Sequence, residues 1–401
     1  AFYYAWAGIA GGVGSVLGGW LVDVAADLGG QWWIVYFDSY TPLFLTGILF
    51  PLFSILLFSG VRADSSFSTR QFAGMFVRGN PFYALGSLVR YRRARDEREA
   101  IEGTERLGST RSPLTVEELI EALHDPRFGV RFEAVVAMAR HGEDPQLTDA
   151  LIEVLEGNEP SLSTMAAWAL GRLEDEHALE ALRQGMDARY RSVQAHCIRS
   201  LGSLGDRTML PAMLERLEGE QDVGVQLALA SALGKLGATG ALDRLLELLR
   251  ESDTLDARRE FALAIARLVG EEHHFIQLQR RAEIEPGTVF SQETTALKER
   301  LEKEETTAGE GAQELADSLD AAAEALARED LDRGVALVVR ALEQWGGAFP
   351  PEEGQELEPP CRKVVGACVA QMGQLGSGRI EYVVLALHAA ECGLPEDGGL
   401  F

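Results

Sequence analysis

From Leu114 to Phe275 the chain writes one sentence five times with small changes. The second halves of the copies read FEAVVAMARHG, AAWALGRLE, AHCIRSLGSLG, LALASALGKLG and FALAIARLVG. Gly142, Glu174, Gly205, Gly237 and Gly270 hold equivalent places in them, at spacings of 32, 31, 32 and 33 residues. Four of these five are glycine, the residue that tolerates the left-handed turn closing a helix. A fixed period of this size is the mark of a stacked repeat, and it constrains the fold more than any compositional figure can.

Each copy also has a first half, LIEAL before His124, LIEVL before Glu156, AMLERL before Glu218 and RLLELL before Arg250. Apolar residues recur there three and four apart, which puts them on one helix face. Turn signals separate the halves: Asp125-Pro126, Asn158-Glu159-Pro160, Asp187, Asp222 and Ser252-Asp253. Each unit is therefore expected to be two antiparallel helices that bury their apolar stripes only by stacking on neighbours. The expected fold of this part is an α-solenoid.

Val130-Arg131 ahead of an Ala-rich helix, Leu201-Gly202-Ser203-Leu204-Gly205 and Leu233-Gly234-Lys235-Leu236-Gly237 resemble HEAT repeats. The short, glycine-ended variety also resembles the repeats of phycobilisome lyases. The second copy departs most, with Leu162-Ser163 where Val-Arg would stand and Glu174 in place of the closing glycine. Such repeats are scaffolds in unrelated systems, so the resemblance implies fold before function.

Ahead of the repeats, residues 1–61 contain no Lys or Arg, and the runs 1–22 and 39–61 carry no charge at all. Each run approaches the ~20 residues a helix needs to cross a hydrocarbon core, so two transmembrane helices are expected. The first run is no signal peptide, having no basic start and a second apolar run behind it. The chain begins with Ala1 inside an apolar segment, which suggests a piece of a longer protein. Gly8, Gly12, Gly14 and Gly18 stand four apart in pairs and are expected to let another membrane helix approach closely. The connector 23–38 holds three Asp and no base, whereas eight Arg follow between Arg62 and Arg98. The positive-inside rule then puts residues 62–401 in the cytoplasm of an integral membrane protein. This pair resembles the last two helices of a major facilitator superfamily transporter, and Gly19-Trp20-Leu21-Val22-Asp23 is similar to the start of that family's loop motif. The motif's basic continuation is absent. The resemblance implies missing upstream transmembrane helices of the same protein.

The expected class is thus all-α: transmembrane helices over 1–61, a basic juxtamembrane linker over 62–113, HEAT-like repeats over 114–275, a charged helical linker over 276–311, and a C-terminal helical module or solenoid cap over 312–401. Aromatics among the arginines of the linker suggest contact with membrane lipid. Thr115, with Glu118 three residues on, is the expected N-cap of the first repeat.

Charge bounds the partners. The net charge is −25, but residues 1–100 carry eight Arg against seven acids, so the remainder carries −26. So acidic a part repels nucleic acid. Only four of the 37 basic residues are Lys, a bias that suits a salt-adapted surface. Cys197, Cys361, Cys368 and Cys392 show no CxxC spacing and read as apolar thiols. Adjacent His273 and His274 point about 100° apart on a helix, and neighbouring His196 and Cys197 do not face each other. No metal, cofactor or catalytic set is expected from these patterns. The second-half helices should line the binding face of a solenoid, making Arg131, Arg140, Arg172, Arg199 and Lys235 the candidates for an acidic protein partner. Three functions follow: a non-enzymatic transporter piece whose repeat tail binds an unknown cytosolic protein; a membrane-anchored HEAT scaffold without transport; and, ranked last, a bilin-lyase-like protein.

Overall fold

In the computed structural model the described residues are 15–16, 18–20, 22–24, 30–32, 35–37, 40–58, 81–94, 96–173, 175–304, 310–348 and 359–394. Two compact units divide the chain, residues 1–78 and 79–401.

In the first unit a small antiparallel ribbon pairs β1 (Gly30–Trp32) with β2 (Val35–Phe37), and helix α1 (Thr41–Phe58) follows. Phe44, Leu45, Ile48, Leu49, Leu52 and Phe53 of α1 are exposed. Among the described residues no helix is long and apolar enough to cross a membrane. This corrects the expectation of two membrane spans among the described residues; most of the first run, 1–22, lies outside them. The integral-membrane placement, the cytoplasmic assignment of residues 62–401 and the lipid partner all rested on those spans and fall with them. Gly8, Gly12 and Gly14 lie outside the described residues, as do the linker residues 61–80; Gly18 is a helical, half-buried position.

The second unit is an all-α solenoid of the HEAT type. Helices α2 (Pro81–Arg93) and α3 (Glu97–Ser109) come first. Five pairs follow: α4 (Val116–Ala122) with α5 (Phe128–His141), α6 (Pro145–Glu156) with α7 (Pro160–Leu170), α8 (Glu176–Gly185) with α9 (Arg191–Leu204), α10 (Leu210–Gly219) with α11 (Val223–Lys235), and α12 (Leu242–Glu251) with α13 (Leu255–Val269). The second-half helices pack in sequence as one row, α3 on α5, α5 on α7, and so on to α13. Helix α3, inside the stretch expected to be linker, is thus the first member of the row.

Small residues set the spacing of that row. A Cβ placed on Gly202 would lie 2.5 Å from the Cα of Ala232, and one on Gly234 would lie 3.1 Å from the Cα of Ala264. Gly108 meets Ala137 and Gly171 meets Ser200 in the same way, so four of the five crossings of the row carry such a contact. The closing glycines Gly142, Gly205, Gly237 and Gly270 have φ of 101°, 75°, 68° and 126°, a region L-residues avoid. Asp144, Asp175 and Asp206 follow the closings and accept from the backbone N–H two residues on, so each ending doubles as the next helix start. The expected capping role of Thr115 is not taken: its hydroxyl bonds the Leu107 and Ser112 carbonyls, Ser112 caps a 3₁₀ turn instead, and Glu118 pairs with Arg92 at 2.8 Å.

Beyond α13 come α14 (Glu272–Ala282), α15 (Pro286–Glu304), α16 (Glu310–Ala327), α17 (Leu331–Ala348), α18 (Pro360–Leu375) and α19 (Ile380–Cys392). The last pair turns back: α19 packs on α13 and α18 on α12, so together they stand where a further repeat would. Helices α14 to α17 form the excursion between. Surrounded by α13, α14, α15 and α18, helix α19 buries ten consecutive residues, Glu381 through Ala390. One apolar core runs from Leu107 to Leu394.

Candidate functional site

The five equivalent positions Arg131, Ser163, Gln194, Gln226 and Arg258 open the second-half helices, and each side chain reaches back to a carbonyl of the turn before it. Arg131 donates to Asp125 O at 3.0 Å, Gln194 to Ala188 O at 2.6 Å, Gln226 to Glu220 O at 2.7 Å and Arg258 to Asp253 O at 2.9 Å. Ser163, in the copy that departs from the pattern, donates to Val154 O at 3.0 Å, a carbonyl nine residues back in the preceding helix. Arg131 also pairs with Glu159 of the next repeat at 2.8 Å and lies over the Phe128 ring. Its side chain is a latch within the stack, 18% exposed, and is not free to meet a partner. Arg140, nearer the other end of α5, lies 3.5 Å from Glu105 and 3.6 Å from Glu133.

The remaining candidates stand differently. Arg172 is exposed and lies 5.3 Å from the Trp168 ring centroid. The approach of Gly171 to Ser200 brings its segment beside α9, where Arg199 is half-buried. Lys235 donates from Nζ to Ser203 Oγ at 2.8 Å, tying α11 to α9. Partial burial, with Arg267 and then Arg199 beside it, holds the Lys235 amine below its ordinary pKa. Glu272 and Glu260 act on it in the opposite direction. Arg267 is neutralised by Glu272 at 2.7 Å. The strip Arg172, Arg199, Lys235 with the face of Trp168 is therefore the part of the second-half row suited to a carboxylate-bearing ligand or peptide.

The cysteines are free thiols, Cys197 and Cys368 buried, and burial pushes the Cys197 thiol up to about 12. His196 points away from it and bonds the Ser192 carbonyl at 2.9 Å. His273 is solvent-facing beside Gln277, whereas His274 turns inward to Glu293 and Glu391. The Glu293 carboxylate, and then Glu391, raise the His274 pKa. No periodicity signals this cluster, because its members come from α14, α15 and α19.

Residues 116–196 and 180–266 match the family model for HEAT repeats. A HEAT repeat-containing taxis protein of Halobacterium salinarum is 29% identical over 145 residues, which are 34% of this chain and 36% of that protein. The bilin biosynthesis protein PecE of Mastigocladus laminosus is 30% identical over 109 residues, 25% of this chain and 40% of PecE. The chain spans two fifths or less of the length of these relatives. Among solved structures, the complex of CpcE and CpcF of phycocyanin lyase from Nostoc is 20% identical, covering 63% of this chain and 92% of that one, with a TM-score of 0.34. An engineered protein is 17% identical, covering 76% and 87%, with a TM-score of 0.33. Superpositions at these scores carry no argument about function or assembly.

These likenesses are to HEAT-repeat and bilin-related proteins, and the transporter resemblance is withdrawn together with the spans on which it stood. The expectation that the chain is no enzyme is corrected as well, since one relative is named for a biosynthetic role. The reading ranked last, a bilin-lyase-like protein, is the one that the comparisons favour.

Proposed function

We propose that this chain is a HEAT-type solenoid of the bilin-lyase-like kind, which holds a carboxylate-bearing ligand against the second-half row at Arg172, Arg199 and Lys235. The observation that carries the reading is the setting of Arg199 beside Lys235 and next to the segment that holds Arg172, on the row of helices that repeats build as a binding face. A bilin is an open-chain tetrapyrrole with two propionate carboxylates and a flat conjugated body. The cations suit the propionates, and the Trp168 face, with Arg172 over it, suits the conjugated rings. The likeness to PecE supports this choice of ligand.

The likeness to a taxis protein supports a second reading, in which the same strip receives an acidic segment of a protein partner. One titration separates the two. Biliverdin and a polyglutamate peptide are each titrated into the full chain, and into R172E/R199E/K235E. The bilin reading expects a shifted biliverdin absorption spectrum, salt-sensitive binding, and at least a tenfold loss in the variant, which corresponds to about 1.4 kcal/mol. Peptide binding without biliverdin binding replaces it with the second reading. Equal affinity of the wild type and the variant for both ligands removes the strip as a site.

A further inference from the structure

Where the last helix returns to the stack, three helices distant in sequence bring one histidine and two carboxylates together. His274 on α14, Glu293 on α15 and Glu391 on α19 each place one ligand atom within 4.8 Å of the other two. His274 Nε2 is 3.5 Å from Glu293 Oε2, and His274 Nδ1 is 3.6 Å from Glu391 Oε2. The second oxygen of each carboxylate is held by a guanidinium, Glu293 Oε1 by Arg281 at 3.4 Å and Glu391 Oε1 by Arg300 at 3.0 Å. Both Oε2 atoms are thereby left toward the imidazole.

A second histidine fixes that imidazole. His388 is fully buried, with Nε2 2.9 Å from the Gly270 carbonyl oxygen. A carbonyl only accepts, so His388 carries its hydrogen on Nε2 and its lone pair on Nδ1. That Nδ1 is 3.3 Å from His274 Nδ1, so His274 donates through Nδ1 and turns its Nε2 toward Glu293 Oε2. Metal-ligating histidines are oriented in this manner, with the far N–H held by an acceptor of fixed position. A cavity of about 420 Å³ opens on the cluster, with Gly270, His274, Arg300, Glu391 and Cys392 on its wall.

We propose that His274, Glu293 and Glu391 form a binding site for a divalent first-row transition ion, with His388 as a positioning residue and the cavity side open to water or substrate. One imidazole nitrogen with two carboxylate oxygens is a donor set for Zn²⁺, Mn²⁺ or Fe²⁺. Three protein donors fall well short of the six to eight oxygens that Ca²⁺ takes. Adjacency in the sequence could not indicate the site, because His273 contributes nothing and the other donors lie 19 and 117 residues away from His274.

The test is calorimetric titration of the chelator-stripped full chain with Zn²⁺, Mn²⁺ and Ca²⁺. One equivalent of Zn²⁺ or Mn²⁺ is expected, with no saturable Ca²⁺ binding. H274Q and E391Q should each weaken binding at least tenfold. H388Q should weaken it about tenfold with the stoichiometry kept, and H196Q, on the exposed side of α9, should leave it unchanged. Absence of saturable binding overturns the proposal, as does wild-type affinity in both H274Q and E391Q. Should the variants lose helicity, the wild type decides through its Co²⁺ spectrum. Ligand-field bands without thiolate charge transfer are expected; charge transfer would put a cysteine in the site and overturn this donor set.

Discussion

A methyl group on Gly202 would sit 2.5 Å from the Cα of Ala232, inside a contact between two backbones that have no flexible end to yield. Gly202→Val should therefore destabilise the chain by about 1–3 kcal/mol, as overpacking does in tight cores, read as a lower urea midpoint. The same substitution at Gly219, which has nothing within 4 Å, tests whether the loss belongs to the contact or merely to removing a glycine. Asp206 gives a pH dependence. The Arg183 guanidinium at 2.8 Å, aided by Thr208, holds its carboxyl below the usual range against the opposing effect of burial. A depressed folded pKa contributes stability that is complete above the unfolded value and is lost as pH falls through the folded one. Asp206→Asn keeps a capping oxygen but removes the charge. It should be less stable than the wild type at pH 7, and the gap between their urea midpoints should close on acidification below the ordinary carboxylate range. At the same scale, Cys197 should stay unmodified by thiol reagents at pH 8 until the chain unfolds, because a pKa of about 12 leaves roughly one thiolate in ten thousand. Much at this scale is legible from spacing: the closing glycines repeat, and so do the latch positions Arg131, Ser163, Gln194, Gln226 and Arg258. What the latch residues do is not legible, and Arg131 reads as a surface cation until the turn carbonyls it bonds are seen.

Among the elements, α19 separates two ways of ending a solenoid. An atypical final repeat would present a polar outer face, yet α19 buries ten residues in succession and is covered by α14 and α15 of the excursion. Its attachment to the stack includes an ion pair, Arg258 Nε to Glu381 Oε1 at 3.2 Å, with the two side chains 14% and 3% exposed. Removing one partner leaves the other charge buried, so Arg258→Met should cost about 3–5 kcal/mol. Hydrogen exchange should accelerate first in α18 and α19, with α5 to α9 keeping their protection. Equal acceleration throughout would mean that the C-terminal pair is not a separable layer. Element type was legible in nearly every case, since apolar spacing fixes helices. Partnership was not, because the period that pairs neighbours ends with α13 and the return of α18 and α19 crosses more than 100 residues.

For the whole molecule, the net charge of −25 makes self-repulsion the leading long-range term. Screening reaches about 10 Å at 0.1 M salt and about 3 Å at 1 M. The thermal midpoint should accordingly rise as NaCl increases from 0.1 to 1 M, and a fall would mean that the numerous Arg–carboxylate pairs outweigh the repulsion. The sequence by itself determined that residues 114–275 stack as helix pairs, because a repeat of 31 to 33 residues with one apolar stripe per helix has no other way to bury its surface. Uncharged runs alone did not determine a membrane span, since among the described residues no helix is long and apolar enough to cross a membrane. The tertiary structure alone decided that α19 closes the stack and sets His388 and Glu391 beside His274, because that meeting depends on the return path of the chain and on no local period.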